Sequence, residues 1–138
     1  MKIYRLISFL LFITALASLT ACGSTVNING TWKLISYGNS SNQTDAVSDA
    51  NNSIIIGTDG KISGSVGCNS ISGDYKTNGN QIAFGAISST MMACADPIMT
   101  QESSVFQVLT GTAKYALEGN RLTITNGENL IIFEISEK

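Results

Sequence analysis

The chain has 138 residues, a net charge of −2 and no histidine, and only 13% of its residues are charged. Such a length allows one modest domain. The small negative charge argues against a nucleic-acid partner, which requires clustered Lys and Arg. The lack of histidine excludes Ser-His-Asp and Cys-His catalytic pairs and His-containing zinc sites, so any enzyme would depend on carboxylates, Lys or Tyr.

The N-terminus has the three parts of a secretory signal peptide. Lys2 and Arg5 form a positive start, an apolar stretch covers residues 6–17, and the small residues Thr20 and Ala21 precede Cys22. The four residues 19–22, Leu-Thr-Ala-Cys, resemble a lipobox, in which the cysteine thiol receives a diacylglyceryl group before cleavage on its N-terminal side. We therefore expect a signal peptide at 1–21, lipidation of Cys22 and a polar tether at 22–29.

Two other interpretations of this segment are an uncleaved membrane anchor and an ordinary signal peptide that contains a cysteine. The apolar stretch is shorter than the roughly 20 residues that a membrane-spanning helix needs, and we favour the lipid anchor. Residue 23 is Gly and not Asp. The expected location is thus the cell envelope, at the periplasmic face of the outer membrane if the cell has two membranes.

From Gly30 onward, short apolar runs alternate with turns rich in Gly and Asn, which is typical of antiparallel strands. Asp59-Gly60, Asn78-Gly79 and Asn126-Gly127 stand between such runs and favour tight hairpins. The polar segment 38–50 is expected to be a loop. The predicted strands are 31–37, 53–56, 61–66, 70–76, 81–84, 113–118, 121–125 and 129–135, with a further short run at 87–90.

One helix is predicted before the last three strands. Asp96 can accept hydrogen bonds from free backbone amides, Pro97 suits a first helical position, and Gly111 is a plausible stop. The predicted fold class is mainly β: an antiparallel meander curled into a small partial barrel with this helix inserted. The apolar face predicted to pack on the sheet consists of Ile98, Val105, Phe106 and Leu109.

Three cysteines occur in the chain. If Cys22 carries lipid, Cys68 and Cys94 remain as an even pair in an oxidising compartment, and we expect a disulfide. Two buried free thiols are the alternative. A metal site lacks further ligands, and the spacing differs from the Cys-X-X-Cys of redox enzymes. Neither a metal nor a cofactor is therefore expected.

The two cysteines lie in segments that resemble the signatures of a known family. Residues 64–75, GSVGCNSISGDY, resemble "G-C-N-x-(F/I)-x-G-x-Y", and residues 89–94, STMMAC, resemble "S-T-x-M-A-C". Both are signatures of the META domain, the family of HslJ-like heat-shock lipoproteins. Gly30-Thr31-Trp32 resembles the opening "G-x-W", and Glu102, Phe106 and Leu109 resemble "E-x-x-F-x-x-x-L" with one residue more before the phenylalanine and one fewer before the leucine. We accordingly expect a META domain at 30–138.

This resemblance implies a compact β domain with one helix, usually in the cell envelope and often lipid-anchored. Family members are linked to stress response and, in some cases, to antibiotic tolerance or virulence. The shape is similar to that of secretin-pilot lipoproteins, which implies assistance to another envelope protein. The family offers no catalytic residues to carry over. Met91 stands where relatives often have Arg or Lys, which puts in doubt any role that needs a cation there.

The residue types of the signatures favour structural roles. Trp32 and Tyr75 offer large apolar surfaces for the core, and Asn69 can cap a turn through its side chain. The alternative for Asn69 is a place in a ligand site at the rim. For Met91 and Met92 we expect ordinary core filling; the alternative is an exposed interaction surface, for which adaptable Met side chains are suited. The candidate binding surface is thus Asn69, Met91 and Met92.

The expected function is that of a monomeric, non-catalytic envelope lipoprotein that binds or assists another envelope protein or peptide under stress. One alternative is a secreted protease inhibitor that uses the polar loop or the disulfide-braced loop, and another is a barrel that binds a small ligand or lipid. A hydrolase would have to use Asp74, Asp96, Glu102 or Glu118, but no spacing pairs two of these carboxylates.

Overall fold

The structure, a computed structural model, describes residues 26–48 and 50–137. The predicted signal peptide and Cys22 lie outside these residues. Within the described ranges, no helix is long and apolar enough to cross a bilayer. The elements are β1 (Gly30–Asn39), β2 (Gln43–Asp45), β3 (Ser53–Ile56), β4 (Lys61–Ser65), β5 (Ser70–Asn78), β6 (Gln81–Phe84), β7 (Ser88–Ser89), α1 (Ile98–Val108), β8 (Thr112–Glu118), β9 (Arg121–Asn126) and β10 (Asn129–Glu137).

Eight of the strands form a closed antiparallel barrel. The strand order is β1-β3-β4-β5-β6-β8-β9-β10. Strand β10 pairs back with β1, in a register that runs from Thr31 opposite Glu137 to Asn39 opposite Asn129. The mainly β meander with one helix before its last three strands is therefore confirmed. The sheet closes completely, because β1 and β10 are long enough, at 10 and 9 residues, to pair along their whole length.

Alternating side chains of the strands fill the barrel interior. Residues two apart in a strand face the same side of a sheet, and Trp32 and Leu34 of β1 meet Ile131 and Phe133 of β10 in one buried core. Full burial of an aliphatic or Phe side chain contributes roughly 1.5–3 kcal/mol. The expected core positions of Trp32 and Tyr75 are confirmed. The largest fully buried side chains include Trp32, Phe133, Leu34, Ile54, Ile56, Ile62, Ile82, Leu109, Leu122, Ile124 and Ile131.

Because consecutive strands of the barrel run in opposite directions, the connections between them lie alternately at its two ends. The disulfide end, as we name it, comprises 39–48, 50–52, 66–69, 85–111 and 127–128, and therefore includes α1, which packs against β10, β1 and β9. The tether end comprises 57–60, 79–80, 119–120 and the incoming residues 26–29.

Two local predictions were wrong. The helix N-cap is Pro97, without a side-chain capping bond, and Asp96 Oδ1 instead accepts a hydrogen bond from the Thr100 hydroxyl (3.1 Å). The predicted loop at 38–50 contains strand β2, which pairs with Ser36–Gly38 of β1. The three residues of β2 are all polar, so the sequence shows no alternation of apolar and polar side chains there. The segment is a strand only because its backbone pairs with β1.

Candidate functional site at the disulfide end of the barrel

A disulfide joins Cys68 and Cys94 across 26 residues, with a Cα–Cα distance of 6.0 Å. It connects the turn between β4 and β5 to the segment that leads into α1. The predicted pairing is therefore present in the structure, and free thiols at these two positions are not.

Asn69 holds the segment between β7 and the disulfide against the start of β5. Its Oδ1 accepts hydrogen bonds from the backbone amide of Met92 (2.7 Å) and from the Thr90 hydroxyl (2.8 Å). Its Nδ2 donates to the Met92 carbonyl (3.3 Å), and the backbone amide of Thr90 donates to the Ser70 carbonyl (3.1 Å). Asn69 thus fixes a loop through backbone contacts, which is an extension of the predicted turn-capping role.

The carboxylate of Glu102 lies buried beneath this loop, with 5% of the residue exposed. Its Oε2 accepts the backbone N–H of Asn69 (2.6 Å), and its Oε1 accepts Asn69 Nδ2 (2.7 Å). Buried carboxylates require such partners, because an unpaired one is costly. The salt bridge found within the described ranges joins Lys61 to Asp74 on the barrel wall and does not involve Glu102. The Glu102 carboxylate is therefore satisfied by amide donors and not by a cation.

Gln101, the residue before Glu102, makes a second buried connection. Its Nε2 donates to Asn52 Oδ1 (2.6 Å) and to the Val66 carbonyl (2.7 Å), and its Oε1 accepts the amide of Val47 (2.7 Å). The side chain therefore joins α1 to the 46–52 segment and to the end of β4. The sequence reasoning missed this residue, because a Gln on a short polar helix carries no signal of burial.

Gly67 lets α1 approach the turn that carries Cys68 and Asn69. A Cβ atom at this position would lie 2.9 Å from Glu102 Cβ and 3.1 Å from the Ile98 carbonyl oxygen. Both distances are too short for an unstrained contact. The Gly-Cys-Asn signature is consequently a motif that docks the helix, with each of its three residues in contact with the segment from Met92 to Glu102.

Met91 and Met92 are exposed, with 98% and 54% of their surface accessible. The expectation of core filling was therefore wrong, and its physical reason is the Asn69 anchor. The Met92 backbone, and not its side chain, contacts the buried Asn69, and both methionine side chains lie on the surface. The result is a pair of apolar, adaptable side chains on a loop that is held at three points: Thr90, Met92 and Cys94.

At the opposite end, the residues that precede β1 close the barrel. Ile28 is buried, with 2% exposed, and its carbonyl accepts the indole N–H of Trp32 (2.8 Å). The Tyr115 hydroxyl lies 2.9 Å from the Gly79 carbonyl oxygen and 3.2 Å from that of Val26. Residues 26–29, part of the predicted tether, are thus packed against the domain.

Tyr75 forms a matching contact beside them. Its hydroxyl lies 2.7 Å from the Gly57 carbonyl oxygen and 2.8 Å from Asn29 Oδ1. Burial is the main cause that raises the pKa of Tyr75 above its ordinary value, with the charge of Asp59 as a second cause. Burial likewise raises the pKa of Tyr115. The sequence offered no sign of the Tyr115 contact, which joins residues 89 positions apart.

Three of the four candidate carboxylates have a structural partner of their own. Asp74 forms an exposed ion pair with Lys61 (2.7 Å), whose hydrogen bond lowers the pKa of Asp74 and raises that of Lys61. Asp96 accepts from Thr100, Glu102 accepts from Asn69, and Glu118 is the last residue of β8 at the tether end. No group of three His, Cys, Asp or Glu side chains able to hold a metal is found among residues 26–48 and 50–137.

Fold and site together define a small closed antiparallel barrel with a helix across one end. A buried glutamate of this helix binds the asparagine of a Gly-Cys-Asn turn. The sequence profile of the META domain matches residues 24–137. The chain belongs to the META domain family, as the two signatures indicated. A search of curated proteins finds none that matches the chain.

Two solved structures have a similar fold. One NMR structure is 25% identical, covers 79% of this chain and 91% of its own, and has a TM-score of 0.65. Another, of a protein from Burkholderia xenovorans, is 19% identical, covers 78% of this chain and 82% of its own, and has the same TM-score of 0.65. The second likeness shows the fold alone.

Proposed function

We propose that this META domain protein is a non-catalytic lipoprotein of the cell envelope, anchored through Cys22, that binds and assists another envelope component under stress. The observation that carries the binding role is the exposed pair Met91 and Met92 on a fixed loop. Surface methionines are suited to binding because their flexible thioethers adapt to a partner. A pre-fixed loop also loses little entropy when it binds.

A binding role fits the rest of the molecule better than catalysis or ligand transport. Asp74, Asp96 and Glu102 are each held by a structural partner rather than paired with a second acid. The barrel interior is filled by large apolar side chains, which argues against a barrel that encloses a lipid or small ligand. The exposed loop remains as the surface through which such a protein would act.

The anchor is tested by metabolic labelling with a radioactive fatty acid in a bacterium that expresses the full chain. We expect label in the wild type and none in Cys22→Ala. A double Cys68→Ala/Cys94→Ala variant is the matched control and should keep the label. Label in Cys22→Ala, or none in the wild type, would refute lipid anchorage.

The binding role is tested by chemical cross-linking in intact cells, followed by identification of the captured envelope proteins. We expect Met91→Ser/Met92→Ser to lose the specific adducts. Ile55→Ser is the control, because Ile55 is also exposed (51%) but lies on the outer wall in β3. Equal capture by both variants would remove the methionine loop as the binding surface.

A further inference from the structure

The exposed charged residues that the structure describes in the segments of the disulfide end are all of one sign. The segments of the disulfide end contain no Lys or Arg within the described ranges, and they expose Asp45, Asp96 and Glu128. The described basic residues all lie on the barrel strands: Lys33, Lys61, Lys76, Lys114 and Arg121. An exposed apolar pair therefore lies among segments whose own exposed charges are negative, while Lys33 and Lys114 lie on the adjoining strands.

The packed residues 26–29 fix which end faces the membrane if Cys22 carries the acyl chains. The Val26 carbonyl oxygen lies 3.2 Å from the Tyr115 hydroxyl at the tether end, and Ile28 is buried there. Four residue steps from Cys22 to Val26 span at most roughly 14 Å. The tether end must then lie close to the bilayer surface, with little freedom to turn over.

The length of the barrel determines how far the disulfide end lies from the bilayer. Strand β1 has 10 residues. At about 3.3 Å per residue and the usual strand tilt, the disulfide end lies roughly 20–25 Å farther from the bilayer than the tether end. Met91 and Met92 are thereby displayed away from the lipid surface.

We propose that the disulfide end is a docking surface for a basic, apolar segment of another envelope protein, presented away from the bilayer. The proposal rests on the proposed anchorage and names the chemistry of the partner. Complementary charge favours Lys and Arg on the partner and speeds its encounter with the acidic end. Met91 and Met92 would contact the apolar side chains of the same segment, since Met surfaces repack around varied partners.

A membrane is the other surface that an apolar pair could meet. Anionic headgroups would be repelled by Asp45, Asp96 and Glu128, and the short tether holds the opposite end toward the lipid. A protein segment is therefore favoured over lipid.

The test uses the full lipidated protein in vesicles of zwitterionic phospholipid, which do not attract a basic peptide by charge, with a photo-cross-linking side chain at position 91 or at Thr58. Thr58 is exposed in the turn between β3 and β4 at the tether end. The probes are a short Lys/Leu peptide and the same peptide with Glu in place of Lys. We expect Lys/Leu peptide adducts at position 91 alone, and lipid adducts at position 58 alone.

Affinity for the Lys/Leu peptide is measured in parallel on variants. Met91→Ser/Met92→Ser should weaken binding roughly tenfold, and Asp45→Lys/Glu128→Lys roughly threefold to tenfold, more at low salt. Ile55→Ser should bind as the wild type does. Lipid adducts at position 91, equal capture of the Glu/Leu peptide, or capture of neither peptide would overturn the proposal.

The two proposals fail in different ways. A protein that is not retained on vesicles but still captures the Lys/Leu peptide in solution refutes the anchorage and its orientation, while the partner chemistry stands. A protein that is anchored but captures no peptide refutes the partner chemistry alone.

Discussion

The carboxylate of Glu102 accepts both the backbone amide and the side-chain amide of Asn69, at 2.6 and 2.7 Å, although the two residues are 33 positions apart. Through Asn69 the same contact reaches the Thr90 hydroxyl and the Met92 backbone. One buried pair thus positions the helix, the turn between β4 and β5, and the exposed methionine loop.

Glu102→Ala should lower the free energy of unfolding by about 2–4 kcal/mol, because it leaves two buried amide donors without an acceptor. Glu102→Gln keeps one acceptor and should lose less. Urea unfolding of the purified protein measures both. Glu118→Ala, at an exposed position, is the control and should change stability by about 0.5 kcal/mol or less. A loss for Glu102→Ala no greater than that of the control would show that this pair does not stabilise the fold.

Gly67→Ala should destabilise the protein by about 1–3 kcal/mol, since its Cβ would press on Glu102 Cβ and on the Ile98 carbonyl. Gly85→Ala is the matched control. Its Cβ would meet Asp74 at an ordinary contact distance of 3.5 Å, and Gly85 is not among the glycines with positive φ. Thermal unfolding of both variants separates helix docking from general glycine effects. Similar losses at the two positions would count against close helix approach as the reason for Gly67.

Removal of the disulfide in Cys68→Ala/Cys94→Ala should cost about 3–4 kcal/mol, the loop-closure entropy for 26 residues. The Asn69 contacts do not depend on the bridge, so the fold should persist with lower stability. Denaturant unfolding with and without reductant provides the measurement: reductant should weaken the wild type and leave the double variant unchanged. If the reductant demonstrably frees the thiols of the wild type but leaves its free energy of unfolding unchanged, the disulfide does not contribute the expected stability.

Alkaline pH should weaken the tether end first. Burial raises the pKa of Tyr75 and of Tyr115 in the folded protein, so the neutral phenols contribute stability that is complete below their unfolded pKa of about 10. That contribution is lost as pH rises through the folded pKa values. Tyrosinate absorbance should show the late titration, and Tyr75→Phe/Tyr115→Phe should lose less stability over the same range. Identical alkaline losses in both proteins would exclude these tyrosines as the cause.

Patterns that are local in the chain predicted most of the barrel. Asp59-Gly60, Asn78-Gly79 and Asn126-Gly127 each lie at a hairpin of the structure, because tight turns require residues that tolerate these backbone angles. Closure of the barrel was not predictable from such patterns. It depends on the pairing of β1 with β10, strands from the two ends of the domain.

The site was predicted less completely, because its contacts are distant in sequence. The signatures placed Asn69 and the disulfide together, but the exposure of Met91 depends on the Asn69 anchor and the burial of Gln101 depends on how α1 meets the barrel. Gln101 looks like a solvent-facing helix residue until its partners Asn52 and Val66 are brought beside it. Side-chain networks of this kind have no periodic signal.

Intact-mass measurement of the protein isolated from cell membranes without reductant tests the central claim most directly. We expect a chain that begins at Cys22, carries acyl groups on that residue, and lacks the two thiol hydrogens of Cys68 and Cys94. An unacylated chain that retains residues 1–21, or one with both thiols free, would contradict an exported lipoprotein that holds its methionine loop through an oxidised cysteine pair.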